Sequence, residues 1–277
     1  MEPLSLIIHD DGSLTQLDQE RLLAKLPNSK ILVRAEADQQ MMELLHHYPH
    51  CRRYRSEHVY GLKLLDIALL SPGDFAYCDS DILFFRPFQN LFVWPDPNTS
   101  AIFMQDYTNA YSMLPWHLLG SKRPKLVSKV NAGLSLFRKA AYELDFIEWF
   151  LGQEQFRHKV GWLEQSCWAA LGHRVGCRQW HPNQIVLIRP WTQLSHQLVA
   201  GHFVKEVRYR MSEFIDRAGD QSDGNMPMIV DTFIPPDCSL LDLAQVHTLR
   251  QLKRLRNYPR VLELIGERLP GVNKIKA

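Results

Sequence analysis

No apolar run in this sequence approaches the roughly 20 residues that a helical membrane span requires, so no transmembrane segment is expected. The first residues, MEPLSLIIHDDGS, carry no basic region ahead of their short apolar stretch, which argues against a secretory signal. Cysteine is sparse and unpaired in pattern: Cys51, Cys78, Cys167, Cys177 and Cys238 form no CxxC pair, and their number is odd. That suits free thiols in a reducing compartment, so a cytoplasmic location is expected rather than a disulfide framework. Internal repeats and low-complexity stretches are absent, and a composition near the globular mean argues against a disordered chain, a collagen or a coiled coil. A strong excess of one charge is also missing. The formal net charge is +2, and nucleic acid is not an expected partner.

What remains is 277 residues, 45% hydrophobic and 22% charged, an ordinary composition for one large globular domain. A domain of this size buries about three quarters of its unfolded surface and needs no metal or disulfide to fold. The charge is uneven. Residues 247–277 hold eight Lys or Arg against Glu263 and Glu267, a surplus of six, which leaves the rest of the chain at −4 for the overall +2. Residues 238–277 are accordingly set apart as a basic helical segment packed on a domain spanning 1–237. The stretch 247–277 could touch a membrane surface or a partner, or form a solvated amphipathic helix.

Along the chain, short apolar runs alternate with helical patterns. Leu4–His9 reads as a strand, and Asp10-Asp11-Gly12 as a turn. Thr15 and Asp18 stand in capping-box relation ahead of Leu17, Leu22 and Leu26. A strand is expected at 30–34, helices at 36–47 and 57–70, and a strand at 75–78 that runs through Asp79-Ser80-Asp81 into 82–85. A strand follows at 101–104, then a loop over 105–125 rich in aromatic residues and proline. A strand at 127–137, broken at Asn131-Ala132-Gly133, leads to helices at 139–151 and 162–171. Short strands are expected near 174–179, 184–188 and 198–203, then a turn-rich stretch at 218–237 and a helical segment at 240–266. Such alternation predicts an α/β fold with a mostly parallel sheet flanked by helices, and ligands at its C-terminal strand ends.

Asp79 and Asp81 fall at such an end. Two carboxylates two residues apart between apolar runs are costly unless their charge is compensated. At a bend both can reach one hard divalent cation, which prefers oxygen ligands and keeps positions open for phosphates. The other account is a pair of loop aspartates capping the next element. His46-His47-Tyr48-Pro49-His50-Cys51 could be a metal tract or a polar helix end. Arg52, Arg53 and Arg55 could meet an acidic ligand or form a basic turn. Asp10 and Asp11 could line a pocket or serve the turn.

Tyr77-Cys78-Asp79-Ser80-Asp81-Ile82-Leu83-Phe84-Phe85-Arg86-Pro87 resembles the segment YLDSDVLVLRDP of the family-eight-like retaining glycosyltransferases, which have the type A fold. Asn131–Phe137 resembles their NSGVMLF strand. Leu163-Glu164-Gln165-Ser166 stands where they carry an Asp-Gln pair. Gly201–Lys205 resembles their late HYxGxxKPW segment. The four matches come in the family's order over about residues 57–210.

The resemblance implies a metal-dependent transferase of hexosyltransferase type. It would move a sugar, with retention, from a nucleotide diphosphate donor, of which UDP-sugar is the expected kind, to a glycan or other hydroxyl acceptor. Asp79, Asp81 and His202 would hold Mn²⁺ or Mg²⁺, with imidazole favouring Mn²⁺. Asp79 would also lie near the nucleotide ribose, and Ser80 would join it at the donor. Lys63 and Lys205 would meet the diphosphate. Asn131 and Gly133 would face the donor sugar. Gln165 would stand at its reacting face with Glu164 beside it. Glu replaces the family's usual Asp, which lengthens the reach by about one C–C bond, ~1.5 Å. Tyr107, Tyr111, Trp116 and His117 would offer stacking faces for the acceptor.

The opening strand resembles the family's second strand, so the fold is expected to lack the first strand–helix unit unless another segment replaces it. One alternative is a non-catalytic glycosyltransferase-like binding protein. Another is a haloacid-dehalogenase-like phosphatase, whose first motif is also Asp-x-Asp. That motif wants Thr or Val where this chain has Leu83, and Gly219-Asp220-Gln221-Ser222-Asp223 is one residue short of its late acidic pair.

Overall fold

The computed structural model describes residues 4–119, 123–193, 195–220 and 226–252. The chain opens as a parallel β–α–β unit: β1 (Leu6–His9), α1 (Gln16–Lys25) and β2 (Ser29–Leu32). The expected capping box is formed. Thr15 Oγ1 accepts the Asp18 N–H at 3.2 Å, and the Asp18 carboxylate accepts the Thr15 N–H at 3.1 Å. Next come α2 (Arg34–Leu44) and α3 (Pro49–Glu57). The His46–Cys51 tract thus straddles the start of a helix that the sequence patterning missed. Pro49 takes the first helical position, where its missing N–H is no loss. The next helix runs as α4 (Val59–Gly61), a π turn (Leu62–Asp66) and α5 (Ile67–Leu70).

The sheet region follows with β3 (Phe75–Cys78), β4 (Ile82–Phe84), β5 (Phe88–Gln89) and β6 (Ala101–Gln105). A 3-10 turn at Pro115–Leu118 precedes β7 (Val130–Phe137). Then come α6 (Leu144–Leu151), a 3-10 stretch (Glu154–Trp162) and α7 (Leu163–Val175). The remaining elements are β8 (Cys177–Trp180), β9 (Ile185–Leu187), β10 (Ala200–His202), a 3-10 stretch (Lys205–Arg210), α8 (Met211–Asp220), β11 (Met228–Ile229) and β12 (Thr232–Phe233). Residues 240–252 are helical. No helix among the described residues is long and apolar enough to cross a membrane.

The fold is mixed α/β, but its main sheet is not mostly parallel as the alternation suggested. Its strand order is β12-β8-β6-β7-β3, and only β6–β8 is a parallel pair. A parallel neighbour needs a long crossover, usually a helix. Among the described residues no α-helix lies between β3 and β7, so those strands meet antiparallel. α6 and α7 lie between β7 and β8, and the chain returns from them to set β8 parallel to β6. A second sheet, β4-β10-β9, pairs β4 antiparallel and β9 parallel to β10. Two-stranded parallel pairs β1–β2 and β11–β5 complete the set.

β6 explains how the core is divided. Successive side chains point to opposite faces of a strand. Ala101 and Phe103 therefore enter the apolar cluster under the helices, and Ile102 and Met104 enter the one on the far face. Phe137 anchors the first cluster, with its ring 5.3 Å from that of Trp168 and 5.8 Å from that of Phe75. Truncating a side chain so buried costs about 3–5 kcal/mol. The segment after β12 also joins this core: the Cys238 N–H donates to the Leu126 carbonyl at 2.7 Å, and Cys238 and Leu243 are buried in the cluster. Beyond residue 252, the basic tail lies outside the described residues.

One irregularity in the sheet positions the site. Between Phe103 and Met104 the register shifts, so Phe103 faces Ser135 while Met104 faces Asn131. Residues 132–134 are left out of the ladder with β6. The expected break at Asn131-Ala132-Gly133 is thus a β-bulge within one continuous strand, a device that re-aims local groups.

Candidate metal and donor site

Two strand ends bring the acidic groups together. β3 runs antiparallel to β7, and the residue after its end, Asp79, donates its N–H to the Gly133 carbonyl at 2.7 Å. A tight turn follows, with the Ile82 N–H on the Asp79 carbonyl at 3.2 Å. β4 then pairs with β10, His202 opposite Ile82, and the Asp81 carbonyl accepts the Phe203 N–H at 2.8 Å. Asp79 and Asp81 are thereby pinned against the two sheets, and His202 is delivered to them from β10. One ligand atom of each of the three lies within 4.8 Å of the others. His202 Nε2 is 3.0 Å from Asp81 Oδ1 and 3.5 Å from Asp79 Oδ2.

Gly133 makes this approach feasible. A Cβ there would stand 2.4 Å from Cε1 and 2.5 Å from Nδ1 of His202. The bulge and the missing side chain together leave room for the imidazole.

Two cations offset the carboxylates. Lys63 leaves the π turn to place Nζ 3.0 Å from Asp79 Oδ2 and 4.7 Å from the Tyr77 ring centroid. The Tyr77 hydroxyl donates to the other oxygen of Asp79. π turns are frequent at functional sites because the extra residue redirects side chains. This one is anchored on both flanks. Asp66 receives two 2.7 Å bonds from Arg55, and Gly61 lies so close to α3 that a Cβ would sit 2.5 Å from the Arg55 Cα. Arg208 grips Asp81 Oδ2 with Nε at 2.8 Å and Nη2 at 2.6 Å. Burial opposes the charge of Asp81, but hydrogen bonds and charge from His202 and Arg208 outweigh it and hold its carboxyl below the usual range. Burial likewise opposes the charge of Lys63, and Glu164, Asp79 and Asp81 outweigh it to raise its affinity for a proton.

Glu164, in the first turn of α7, completes this charged group. Its Oε1 is buried without a hydrogen-bond partner, and burial, opposed by Lys63 and aided by Asp79, pushes its carboxyl up to about 7. The neighbouring Gln165 belongs to a second group. Its Nε2 lies 3.2 Å from the Ala110 carbonyl and 3.5 Å from Asp106 Oδ2, which also accepts from Asn131 Nδ2 at 3.2 Å. Burial raises the Asp106 carboxyl, against hydrogen bonds from Thr108, Asn131 and Tyr107 and the charge of Arg189. Asn131 links the groups, because its Oδ1 accepts the Gly133 N–H at 2.9 Å.

The structure therefore gathers Lys63, Asp79, Asp81, Asn131, Gly133, Glu164, Gln165 and His202 around one strand end. Ser80 is exposed at the tip of the turn, and Lys205 is exposed in left-handed backbone (φ 42°) at the start of a 3-10 stretch. Arg208, three residues on, is the cation that reaches Asp81. The sequence held a signal for it, since the lysine of HYxGxxKPW follows its histidine by six residues, the spacing from His202 to Arg208. Asp106 gave no such signal; it is a lone acid after an apolar strand.

Other sequence candidates have structural partners. Asp10 Oδ1 accepts the N–H groups of Gly12 and Leu14 at 2.8 and 3.2 Å, a turn role. Arg53 pairs with Glu57, and Arg55 with Asp66 and Asp38. Tyr111 is buried, and its hydroxyl ties the carbonyl of Val127 to the N–H of Val130. His117 Nδ1 accepts the Leu114 N–H at 3.1 Å. Among the described residues, no other cluster of His, Cys, Asp or Glu has metal-binding geometry.

The donor set suits a divalent cation. It offers two carboxylates and one imidazole at a single locus, and the second ring nitrogen of His202 is buried without a partner. Each carboxylate is also engaged by an internal cation, so an added ion enters in competition with Lys63 and Arg208.

No family model matches this chain, and no curated protein matches it. A solved structure of a glycosyltransferase involved in the glycosylation of the major capsid of PBCV-1 is similar to it over 78% of this chain and 98% of that one, at 15% identity and a TM-score of 0.41.

Proposed function

We propose that the protein is a divalent-metal-dependent glycosyltransferase that takes a nucleotide diphosphate sugar, UDP-linked by preference, and passes its sugar to a hydroxyl of a glycan. The observation that carries this is the convergence of Asp79, Asp81 and His202 with two cations, Lys63 and Arg208, at a strand end beside a bulge. A cluster of carboxylates with its own paired cations suits a ligand that brings both phosphates and a metal.

A Mn²⁺ or Mg²⁺ ion at these three side chains would supply the charge that makes the nucleotide diphosphate a good leaving group. Lys63 and Arg208, released from Asp79 and Asp81, carry the donors that meet phosphate oxygens, Lys63 as a point charge and Arg208 as a planar fork. Lys205 and Ser80 are exposed beside the acidic group and would meet donor groups that project from it. Asn131 and Gly133 would face the donor sugar, and Gln165 would offer its amide at the sugar's reacting face. Glu164, whose carboxyl is pushed up to about 7 and whose Oε1 is buried without a hydrogen-bond partner, would accept a sugar hydroxyl or offset positive charge at the anomeric carbon. Retention of configuration is taken from the family resemblance.

A non-catalytic binding protein is the second assignment. The observation in its favour is that β1–β2 forms a sheet of its own, sharing no hydrogen-bonded ladder with β3 among the described residues. A nucleotide base therefore has less continuous sheet to lie against.

Calorimetry decides between them. With Mn²⁺ present, one of the nucleoside diphosphates should bind, and Asp79→Ala and Asp81→Ala should abolish the heat. If UDP, GDP, ADP and CDP all give no heat with the intact chain, the transferase assignment fails.

A further inference from the structure

Two exposed aromatic rings meet where the chain leaves Asp106, whose carboxylate accepts from the amides of Asn131 and Gln165. Tyr107 follows Asp106 directly and is 43% exposed, and Trp191 is 69% exposed. Their ring centroids are 6.5 Å apart with planes at 87°, so they form an open corner. Single exposed rings are common, but two that meet at an open corner make a contiguous apolar surface of the kind that ligands cover.

The turn that carries Trp191 is braced by hydrogen bonds. The Arg189 N–H donates to Thr192 Oγ1 at 2.8 Å, and the Thr192 N–H returns to the Arg189 carbonyl at 3.0 Å. Arg210 Nη1 then clamps the carbonyls of Arg189 and Pro190 at 2.7 and 3.0 Å. Trp191 is the residue this braced turn displays. The Arg189 guanidinium lies 4.7 Å from the Tyr107 ring centroid, which fixes the second wall to the same turn. By contrast Trp116, which the sequence offered as an acceptor platform, meets His117 and His247 and so belongs to the surface beside the C-terminal helix.

We propose that Tyr107 and Trp191 form the acceptor subsite, holding a hexopyranose ring of the glycan that receives the sugar. A pyranose has an apolar C–H face and a rim of hydroxyls. Two aromatic planes at right angles cover that face and one edge and leave the hydroxyls of the other edge on the open side. The proposal rests on the transferase assignment for the word acceptor, and on the corner alone for saccharide binding.

The test uses the intact chain with lactose, cellobiose, maltose and the methyl glycosides of glucose, galactose and mannose as probes. Saccharide binding is read by intrinsic tryptophan fluorescence and, separately, nucleotide binding by calorimetry with Mn²⁺. At least one saccharide should perturb the fluorescence saturably. Trp191→Ala and Tyr107→Ala, followed through the remaining tryptophans and by competition calorimetry, should each weaken that saccharide about tenfold or more, the loss typical of an aromatic anchor. Tyr107→Phe should retain most of the affinity, and all variants should keep nucleotide affinity and melting temperature. If no saccharide binds the intact chain, or if Trp191→Ala binds it equally well, the proposal is overturned. If saccharide binding is lost in Trp191→Ala while the intact chain binds no nucleotide, the corner stands and the transferase assignment falls.

Discussion

Asp81 and Asp106 are the same residue type on either side of the Gly133 bulge, yet their surroundings push them in opposite directions. Asp81 faces His202 and Arg208, whose hydrogen bonds and charge overcome its burial and keep it ionised. Asp106 is met by the amides of Asn131 and Gln165 and by backbone N–H groups, and burial prevails, raising its carboxyl. One side of the bulge holds charge, and the other meets its carboxyl mainly with amide and backbone N–H donors; in the proposed transferase the first would suit phosphates with a metal and the second a sugar. Environments that drive like groups apart are a sign of divided chemical labour.

The bulge that separates the two groups gives the largest expected effect. Gly133→Val would drive a branched side chain into a space where even a Cβ stands 2.4 Å from the His202 ring. Overpacking of this kind costs about 1–3 kcal/mol, and expelling His202 would remove metal-dependent nucleotide binding altogether. Thermal melting and calorimetry on the variant check both. Unchanged nucleotide binding would mean that His202 is not held where Gly133 admits it.

The two aspartates can be told apart by their pH signatures in the metal-free protein. Asp81 has a folded-state affinity for protons below its ordinary 3.8, so its contribution is present above that value and is lost as pH falls through the depressed one. Asp106 is raised above the same 3.8, so its contribution is complete below that value and is lost as pH rises through the elevated one. Asp81→Asn should therefore flatten the acid limb of the melting temperature against pH. Asp106→Asn should remove a decline on the rising side. At neutral pH Asp81→Asn costs roughly 1.5–3 kcal/mol, the value of hydrogen bonds to a charged group. Parallel slopes in the two variants would show that the bulge does not divide two environments.

Much of the charged side was legible in the sequence, and less of the neutral side. Asp79 and Asp81 announced themselves because two acids between apolar runs need compensation, and His202 by its place in an ordered set of segments. The direction of the strands was hidden, because an apolar run such as Val130–Phe137 looks alike in parallel and antiparallel sheets, and only the missing helix before it decides. Asp106 and Trp191 were hidden for another reason. Each is a single residue on a loop; Asn131 and Gln165, the partners of Asp106, come from β7 and α7, and Tyr107, the ring partner of Trp191, comes from the loop after β6, all distant in sequence. The helix from Pro49 was missed because its apolar stripe is narrow, with only Cys51 and Tyr54 buried.

The smallest expected effects separate two neighbouring cations and sharpen the account of the charged side. Arg208 is tied to Asp81 by two bonds although its side chain is 62% exposed, so the pair is screened and readily exchanged for a ligand. If Arg208 occupies the carboxylate until a cation arrives and then turns to phosphate, Arg208→Gln acts with two signs. Binding of Mn²⁺ alone, followed by its electron paramagnetic resonance signal, should tighten several-fold because a competitor for Asp81 is gone. Nucleotide binding in the presence of Mn²⁺ should weaken. Lys205 is exposed three residues earlier, and Lys205→Ala should move stability by no more than about 0.5 kcal/mol, as surface substitutions do, and nucleotide affinity less than Arg208→Gln does. Two variants with the same sign for metal and nucleotide would mean that Arg208 only stabilises the loop. A larger nucleotide effect from Lys205 would transfer the diphosphate contact to that residue and leave Arg208 as the structural partner of Asp81.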